Sequence, residues 1–270
     1  MTRLQRLLRA EPGKPLLGVA AYFYDPIFIE IAARLGYDAA WIEMEHAPIS
    51  FGEAADLCRI AQGLGLLTMI RVPDCRRESV LKAAECGPDI IDVPMANSPD
   101  VLRGLVAEAR FAPLGARGAF SVSRAMHYGL VDSLSAAQQQ INGELCLMVQ
   151  IETREAAARA EELCAVDGVD IFIGPADLAA SLGVPGEPGH PLVRQAATQI
   201  VAAARRYGKH VASAAGSADF AFWVDQGIDV LFCTNDIVAL RTGAELALRH
   251  AKAAVAQRQV AVASDPGAPS

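Results

Sequence analysis

Short runs of consecutive apolar residues alternate along this chain with longer stretches whose apolar positions recur every three or four residues. The first pattern is that of strands buried on both faces, and the second that of amphipathic helices packed over them. Eight runs read as strands, at 16–21, 39–43, 67–71, 90–94, 145–150, 169–173, 210–214 and 230–234. Helical stretches follow them at 26–35, 51–64, 78–86, 99–110, 154–164, 192–207, 218–226 and 237–253. Gly36, Gly65, Gly87, Gly208 and Gly227 each stand between the end of a helical stretch and the next strand, as C-terminal caps do.

Eight β-then-α units predict an α/β fold of the (β/α)8 TIM-barrel type, a single domain over residues 1–256 with right-handed crossovers. The alternative is an open doubly wound sheet, which usually carries a glycine-rich first turn; none follows residues 16–21. The small, polar end of the chain, 257–270, is expected to be an unstructured tail. The first ten residues are basic and amphipathic, a weak mimic of a targeting peptide, and are expected instead to form a short helix closing the bottom of the domain. One connection breaks the rhythm. Between Arg110 and Glu144 runs a long segment containing Pro113–Phe120 and Ser121–Gly129, and long loops in compact domains usually serve function.

Composition changes this picture little. At 270 residues and 52% hydrophobic, the chain can bury a sizeable core. A net charge of −7 without a basic stripe argues against nucleic acid, and no apolar stretch reaches the length of a membrane span. Six cysteines, none in a C-x-x-C pair, read as reduced thiols and a cytoplasmic protein.

In a barrel the residues just after each strand line the active-site face. Here they are Glu43, Glu45 and His46, Arg71, Met95 and Asn97, Gln150 and Glu152, Gly174 and Asp177, Ser213, and Asn235 and Asp236. Glu152 and Asp177 offer anionic oxygens and leave most of an octahedral shell open, a donor set suited to Mg²⁺ or Mn²⁺. A 2-oxo acid would chelate such an ion, which would then stabilise the enolate formed by loss of a methyl proton. Arg71 would add fixed positive charge, backbone N–H groups around Ala176 and Asp177 would hold a carboxylate, and His46 would act as acid or base. Singly, each has a plainer explanation: a helix cap for Glu152, Asp177 or Asp236, a structural ion pair for Arg71, a loop histidine for His46. Their convergence on one rim favours chemistry. A Schiff-base mechanism needs a lysine at a strand end, and Lys14, Lys82, Lys209 and Lys252 all fall elsewhere.

From Leu16 to Ala253 the sequence resembles the HpcH/HpaI aldolase family, the metal-dependent class II pyruvate aldolases such as 4-hydroxy-2-oxoheptanedioate aldolase and 2-dehydro-3-deoxyglucarate aldolase. The resemblance rests on Ile42-Glu-Met-Glu-His-Ala-Pro48, Ile70-Arg-Val-Pro73, Val93-Pro-Met-Ala-Asn97, Gly115-Ala-Arg-Gly118, Arg124-Ala125, Tyr128-Gly129, Gln150–Ala156, Gly174–Leu178 and Gly189-His-Pro191. It implies Glu152 and Asp177 as ligands of a divalent metal (Mg²⁺, Mn²⁺ or Co²⁺). Gln150 would lie beside pyruvate, Arg71 would bind it and stabilise its enolate, and His46 would act on the aldol hydroxyl. It also implies a homohexamer in which the last helix packs on a neighbour. Glu43, partnering the histidine, and Glu85, reaching a neighbouring subunit's site, stand where the family usually has Asp, and Thr234-Asn-Asp236 stands where Gly-x-Asp is common. A displacement of about 1 Å at a catalytic group can cost about a hundredfold in rate, so these changes bear on substrate and efficiency.

The reading is therefore a lyase that reversibly cleaves a 4-hydroxy-2-oxo acid to pyruvate and an aldehyde, with the acceptor pocket drawing on the 113–129 segment, Ser213 and a neighbouring chain. The alternatives are a sister lyase acting on a CoA thioester and a pyruvate- and metal-binding protein with little turnover.

Overall fold

Alternate residues of a strand point to opposite faces, and in this chain both faces are apolar, so the sheet must be covered on both. The computed structural model of the chain describes residues 1–264, and its parallel strands close into a barrel in chain order. The strands are β1 Leu16–Ala21, β2 Ala39–Glu43, β3 Leu67–Arg71, β4 Ile90–Val93, β5 Cys146–Ile151, β6 Asp170–Ile173, β7 Val211–Ala214 and β8 Val230–Asn235. The helices are α1 Arg3–Ala10, α2 Pro26–Leu35, α3 Phe51–Gly63, α4 Arg77–Cys86, α5 Pro99–Ala109, α6 Leu134–Glu144, α7 Arg154–Ala158, α8 Ala160–Cys164, α9 Pro175–Ser181, α10 Pro191–Arg206, α11 Phe220–Asp225 and α12 Asp236–Ser264.

Two apolar layers result. Outward residues such as Ile42, Ile70, Ile91, Val149 and Ile171 pack under the helices. Inward residues fill the barrel, with Trp41 edge-on to Phe172 and Phe232 at ring separations of 5.3 Å. The inward register then turns polar toward the C-terminal ends: Trp41 is followed by Glu43, Met69 by Arg71, Ile90 by Asp92 and Met148 by Gln150. That change of chemistry along one face is what places the site.

The opposite end is closed as expected. Thr2 caps α1 in a reciprocal box with Gln5, and Leu4, fully buried, plugs the barrel interior. Arg3 fixes the plug by donating to the carbonyls of Gly65 and Leu66 and pairing with Asp89.

Several expected elements differ. The stretch 154–164 is two short helices, because Arg159 leaves helical geometry at φ −106°, ψ 17°. Residues 218–226 begin as a 3-10 turn over Ser217–Asp219. Helix α6, unforeseen, shows no strong apolar stripe; its Ala137 and Ile141 cover only the small cluster of Phe111 and Met126. Helix α12 continues to Ser264, so the first part of the 257–270 tail is helical; residues 265–270 lie outside the described residues. The 113–129 segment lies at the N-terminal end of the strands, where Arg124 donates to the carbonyls of Cys86 and Gly87. Within one chain it is therefore away from the polar rim, and the expectation that it shapes the acceptor pocket of its own barrel is not met.

Candidate active site

Parallel pairing without a register slip sets Glu43 beside Arg71, and Arg71 beside Asp92. Arg71 Nε donates to Glu43 Oε2 at 2.5 Å, and Arg71 Nη1 lies 3.1 Å from Glu45 Oε2 and 3.4 Å from Gln150 Oε1. The guanidinium also stacks over Trp41, 4.9 Å from the ring centre. Burial alone would lower the Arg71 pKa, but contact with Glu43 outweighs it and holds the group above its ordinary value. Arg71 is thus a cation clamped on three sides, and it lines a cavity of about 370 Å³.

Glu43 is fully buried and does not reach the His46 ring. Its Oε1 accepts the backbone N–H groups of Glu45 at 2.7 Å and His46 at 2.9 Å, fixing the turn that carries both. The acid beside the imidazole is Glu45, whose Oε2 lies 3.6 Å from His46 Nε2. Burial raises the Glu45 pKa, against the pull of Arg71. His46 projects into the same cavity and is exposed, with room to meet a bound molecule.

Across the mouth, Glu152 sits almost fully buried at the end of β5. Its Oε1 accepts the backbone N–H of Met95 at 2.8 Å. Met95 presents that N–H from a left-handed conformation, φ 54°, which is strained for a side chain of this size. Glu152 Oε2 has no protein partner, and burial, reinforced by Asp177 and Glu45, raises its pKa to about 7. Gly174 makes room for it: a Cβ there would stand 2.6 Å from Glu152 Oε2 and 3.3 Å from Gln150 Oε1. Asp177 lies in the first turn of α9, behind Gly174 and Pro175, and faces the cavity with Ala176.

An unsatisfied buried carboxylate oxygen, a second carboxylate nearby and a glycine that keeps the space open fit a hard cation, whose charge would supply what the protein leaves unpaired. Glu152 and Asp177 are the residues that would hold it. Among the described residues no cluster of three or more His, Cys, Asp or Glu forms a fuller cage, so water or substrate would complete the shell.

The structure therefore brings Glu43, Glu45, His46, Arg71, Gln150, Glu152, Gly174, Ala176 and Asp177 to one end of the barrel. It sends Glu85 to the other, where it pairs with Arg117 at 3.0 Å. Ser213 is fully buried and donates to the Ile173 carbonyl. Asp236 accepts from the N–H groups of Tyr22 and Phe23, tying β1 to α12, while Asn235 caps that helix through the Val238 N–H. Sequence reasoning missed Asp92, whose Oδ2 accepts from Gln150 Nε2 and whose Oδ1 is buried without a partner. Burial raises its pKa well above the ordinary value of an aspartate. The signal available was parity: in Ile90-Ile91-Asp92 the acid shares the inward face of Ile90. Trp41, beneath Arg71, was missed in the same way.

The HpcH/HpaI aldolase/citrate lyase family model matches residues 22–235. A hydroxypyruvate/pyruvate aldolase of Sagittula stellata is 36% identical over 207 residues, covering 76% of this chain and 80% of its own. A 2-keto-3-deoxy-L-rhamnonate aldolase of Klebsiella pneumoniae is 36% identical over 199 residues, 73% of each chain. Among solved structures, an HpcH/HpaI aldolase from Desulfitobacterium hafniense superposes with a TM-score of 0.85 at 28% identity, covering 93% of this chain and 97% of its own. A family protein from Burkholderia cenocepacia gives 0.86 at 29% identity, covering 93% and 100%.

Proposed function

Since the chain belongs to the HpcH/HpaI aldolase/citrate lyase family, we propose that it is a divalent-metal-dependent aldolase cleaving a 4-hydroxy-2-oxo acid reversibly to pyruvate and an aldehyde. The observation that carries this reading is Glu152 Oε2, a buried carboxylate oxygen with no protein partner, facing Gly174, where a Cβ would stand 2.6 Å from it. A cation held by Glu152 and Asp177 would supply Lewis acidity toward the keto oxygen.

The chain's own residues supply the rest. Backbone N–H groups of Ala176 and Asp177, with Gly174 giving access, receive the substrate carboxylate. Arg71, already clamped by Glu43, Glu45 and Trp41, donates to the oxygen on which enolate charge develops and needs no reorganisation to do so. Gln150 packs beside the same oxygen. His46 removes the C4 hydroxyl proton, with Glu45 the carboxylate that stabilises its charged form. The C3–C4 bond breaks, the aldehyde leaves, and a proton returned to C3 completes pyruvate.

Residues 1–256 make up the aldolase domain. The assembly is a homo-oligomer, a hexamer by family resemblance, with Glu85 contributing to a neighbour's site. The exposed Leu240, Leu246, Leu248 and Val255 of α12 support a neighbour on that helix. The cytoplasm suits the scattered free cysteines, and no described helix is long and apolar enough to cross a membrane.

Exchange of the pyruvate methyl protons with solvent deuterium, followed by NMR, tests the reading. Exchange that requires Mg²⁺, Mn²⁺ or Co²⁺, and is lost with EDTA and in Arg71→Ala, supports it. A folded protein that exchanges nothing with any of these ions overturns it.

A further inference from the structure

The N-terminal end of the barrel holds a cavity of about 620 Å³, larger than the one at the catalytic mouth. Five arginines line it, Arg3, Arg6, Arg59, Arg117 and Arg124, against two acids, Asp89 and Glu144. Four of the five have a carboxylate partner, Arg3 in Asp89 at 3.2 Å, Arg6 in Glu144 at 3.9 Å, Arg59 in Asp56 and Arg117 in Glu85 at 3.0 Å, and neutral carbonyls orient Arg3, Arg6 and Arg124. Arg3 donates to Gly65 and Leu66, Arg6 to Met1, and Arg124 to Cys86 and Gly87. Arg124 completes its set on Gln62 Oε1 and has no carboxylate partner among the described residues.

Arg117 is the sharper anomaly. Its side chain is fully buried, with the guanidinium 4.4 Å from the centre of the Phe111 ring. Nε and Nη2 donate to Glu85 Oε1 at 3.4 and 3.0 Å, but Nη1 is buried with no acceptor. A buried charged donor left unsatisfied is costly, and cavities lined by such donors are where an acceptor belongs. His127 and Tyr128, which also line the cavity, hold left-handed conformations at φ 51° and 59°, strain of a kind that gathers at ligand clamps.

We propose that this cavity binds a small molecule bearing phosphate or carboxylate groups, at a site separate from the catalytic mouth. Guanidinium forks match both oxyanions in planar, paired geometry. Arg117 Nη1 and Arg124 are the inner anchors. Arg6 and Arg59, both exposed and each beside one carboxylate (Glu144 and Asp56), form the rim.

Calorimetric titration of the full chain in EDTA, with inorganic phosphate in one arm and tricarballylate in the other, tests this. Tricarballylate is a tricarboxylate without a keto group, so the two arms separate phosphate from carboxylate recognition. The expected result is binding of at least one probe, weakened about tenfold in Arg124→Gln. Arg6→Gln and Arg59→Gln, which the fold tolerates as surface changes, should each weaken it about twofold to fivefold. Glu152→Gln should leave it unchanged. No binding of either probe at millimolar concentration overturns the proposal. So does binding that is unaffected by all three arginine variants. Because neither metal nor turnover is read, the outcome is independent of the aldolase reading.

Discussion

Arg71 Nε and Glu43 Oε2 meet at 2.5 Å across a register pair of neighbouring strands, both side chains buried inside the barrel. The carboxylate that positions the cation also holds the turn bearing Glu45 and His46, so one buried acid orients both halves of the proposed acid–base and enolate-binding machinery.

Arg71→Ala removes the only cation paired with Glu43 among the described residues and leaves that carboxylate buried. Thermal denaturation should show a loss of about 3–5 kcal/mol. Cleavage should fall by about 10²–10³-fold in kcat, as when a donor to a developing oxyanion is deleted. Pairing it with Glu43→Gln should recover part of the stability and none of the activity.

Gly174→Ala drives a Cβ to within 2.6 Å of Glu152 Oε2. The fold should survive, since the clash is local to the rim. Mn²⁺ affinity, followed by electron paramagnetic resonance, should weaken by about 10–100-fold, the range for disturbing the surroundings of a ligand. Unchanged affinity would remove Glu152 from the cation site.

Glu152 carries a pKa raised to about 7, chiefly by burial. A folded-state acid pKa above its unfolded value means that, without metal, folded stability falls as pH rises through the interval up to about 7. A divalent ion reverses this by taking the ionised form. Mn²⁺ affinity should therefore gain about tenfold per pH unit below 7 and flatten above it, a dependence absent in Glu152→Gln.

His210 provides a pH effect remote from the site. Asp229, 3.5 Å from its Nδ1, raises its pKa against the effect of burial. The charge of Asp170 adds to the effect, and that of Arg205 opposes it. A histidine whose folded pKa is raised contributes stability fully below its unfolded value, about 6.5, and loses it as pH climbs through the raised value. Melting temperatures of the wild type should drop across that window, and His210→Gln should flatten the drop.

Asp92 acts by holding the Gln150 amide so that its oxygen faces Arg71. Asp92→Leu frees that amide and should raise KM for the oxo acid about tenfold, with a smaller change in kcat. Asp92→Asn keeps an acceptor there and should restore KM. Equal loss in both variants would mean that the residue serves packing alone.

The barrel was legible because its evidence is repetitive. Apolar runs at Leu16–Ala21, Ala39–Glu43 and Leu67–Arg71 coincide with strands residue for residue, and the glycines between elements mark the helix ends. Helix α6 and the division at Arg159 were not legible, because neither leaves a periodic trace. Glu152, Asp177, Arg71 and His46 could be placed on one rim because each stands at, or a few residues past, the C-terminal end of a strand. The roles of Asp92 and Glu45, and the room that Gly174 leaves for Glu152, depend on which atoms meet across strands far apart in the chain.

Sequence alone thus determined the number and order of strands, and which end of the barrel is polar, since alternation along a strand is fixed by local backbone geometry. Only the tertiary structure decided that Glu43 serves Arg71 and not the His46 ring, that Glu152 keeps one oxygen unpaired, and that the 113–129 segment lies at the far end of its own barrel. Hydrogen bonds act over about 3 Å. Which donors come that close is set by strand register and barrel closure, and local spacing along the chain does not encode them.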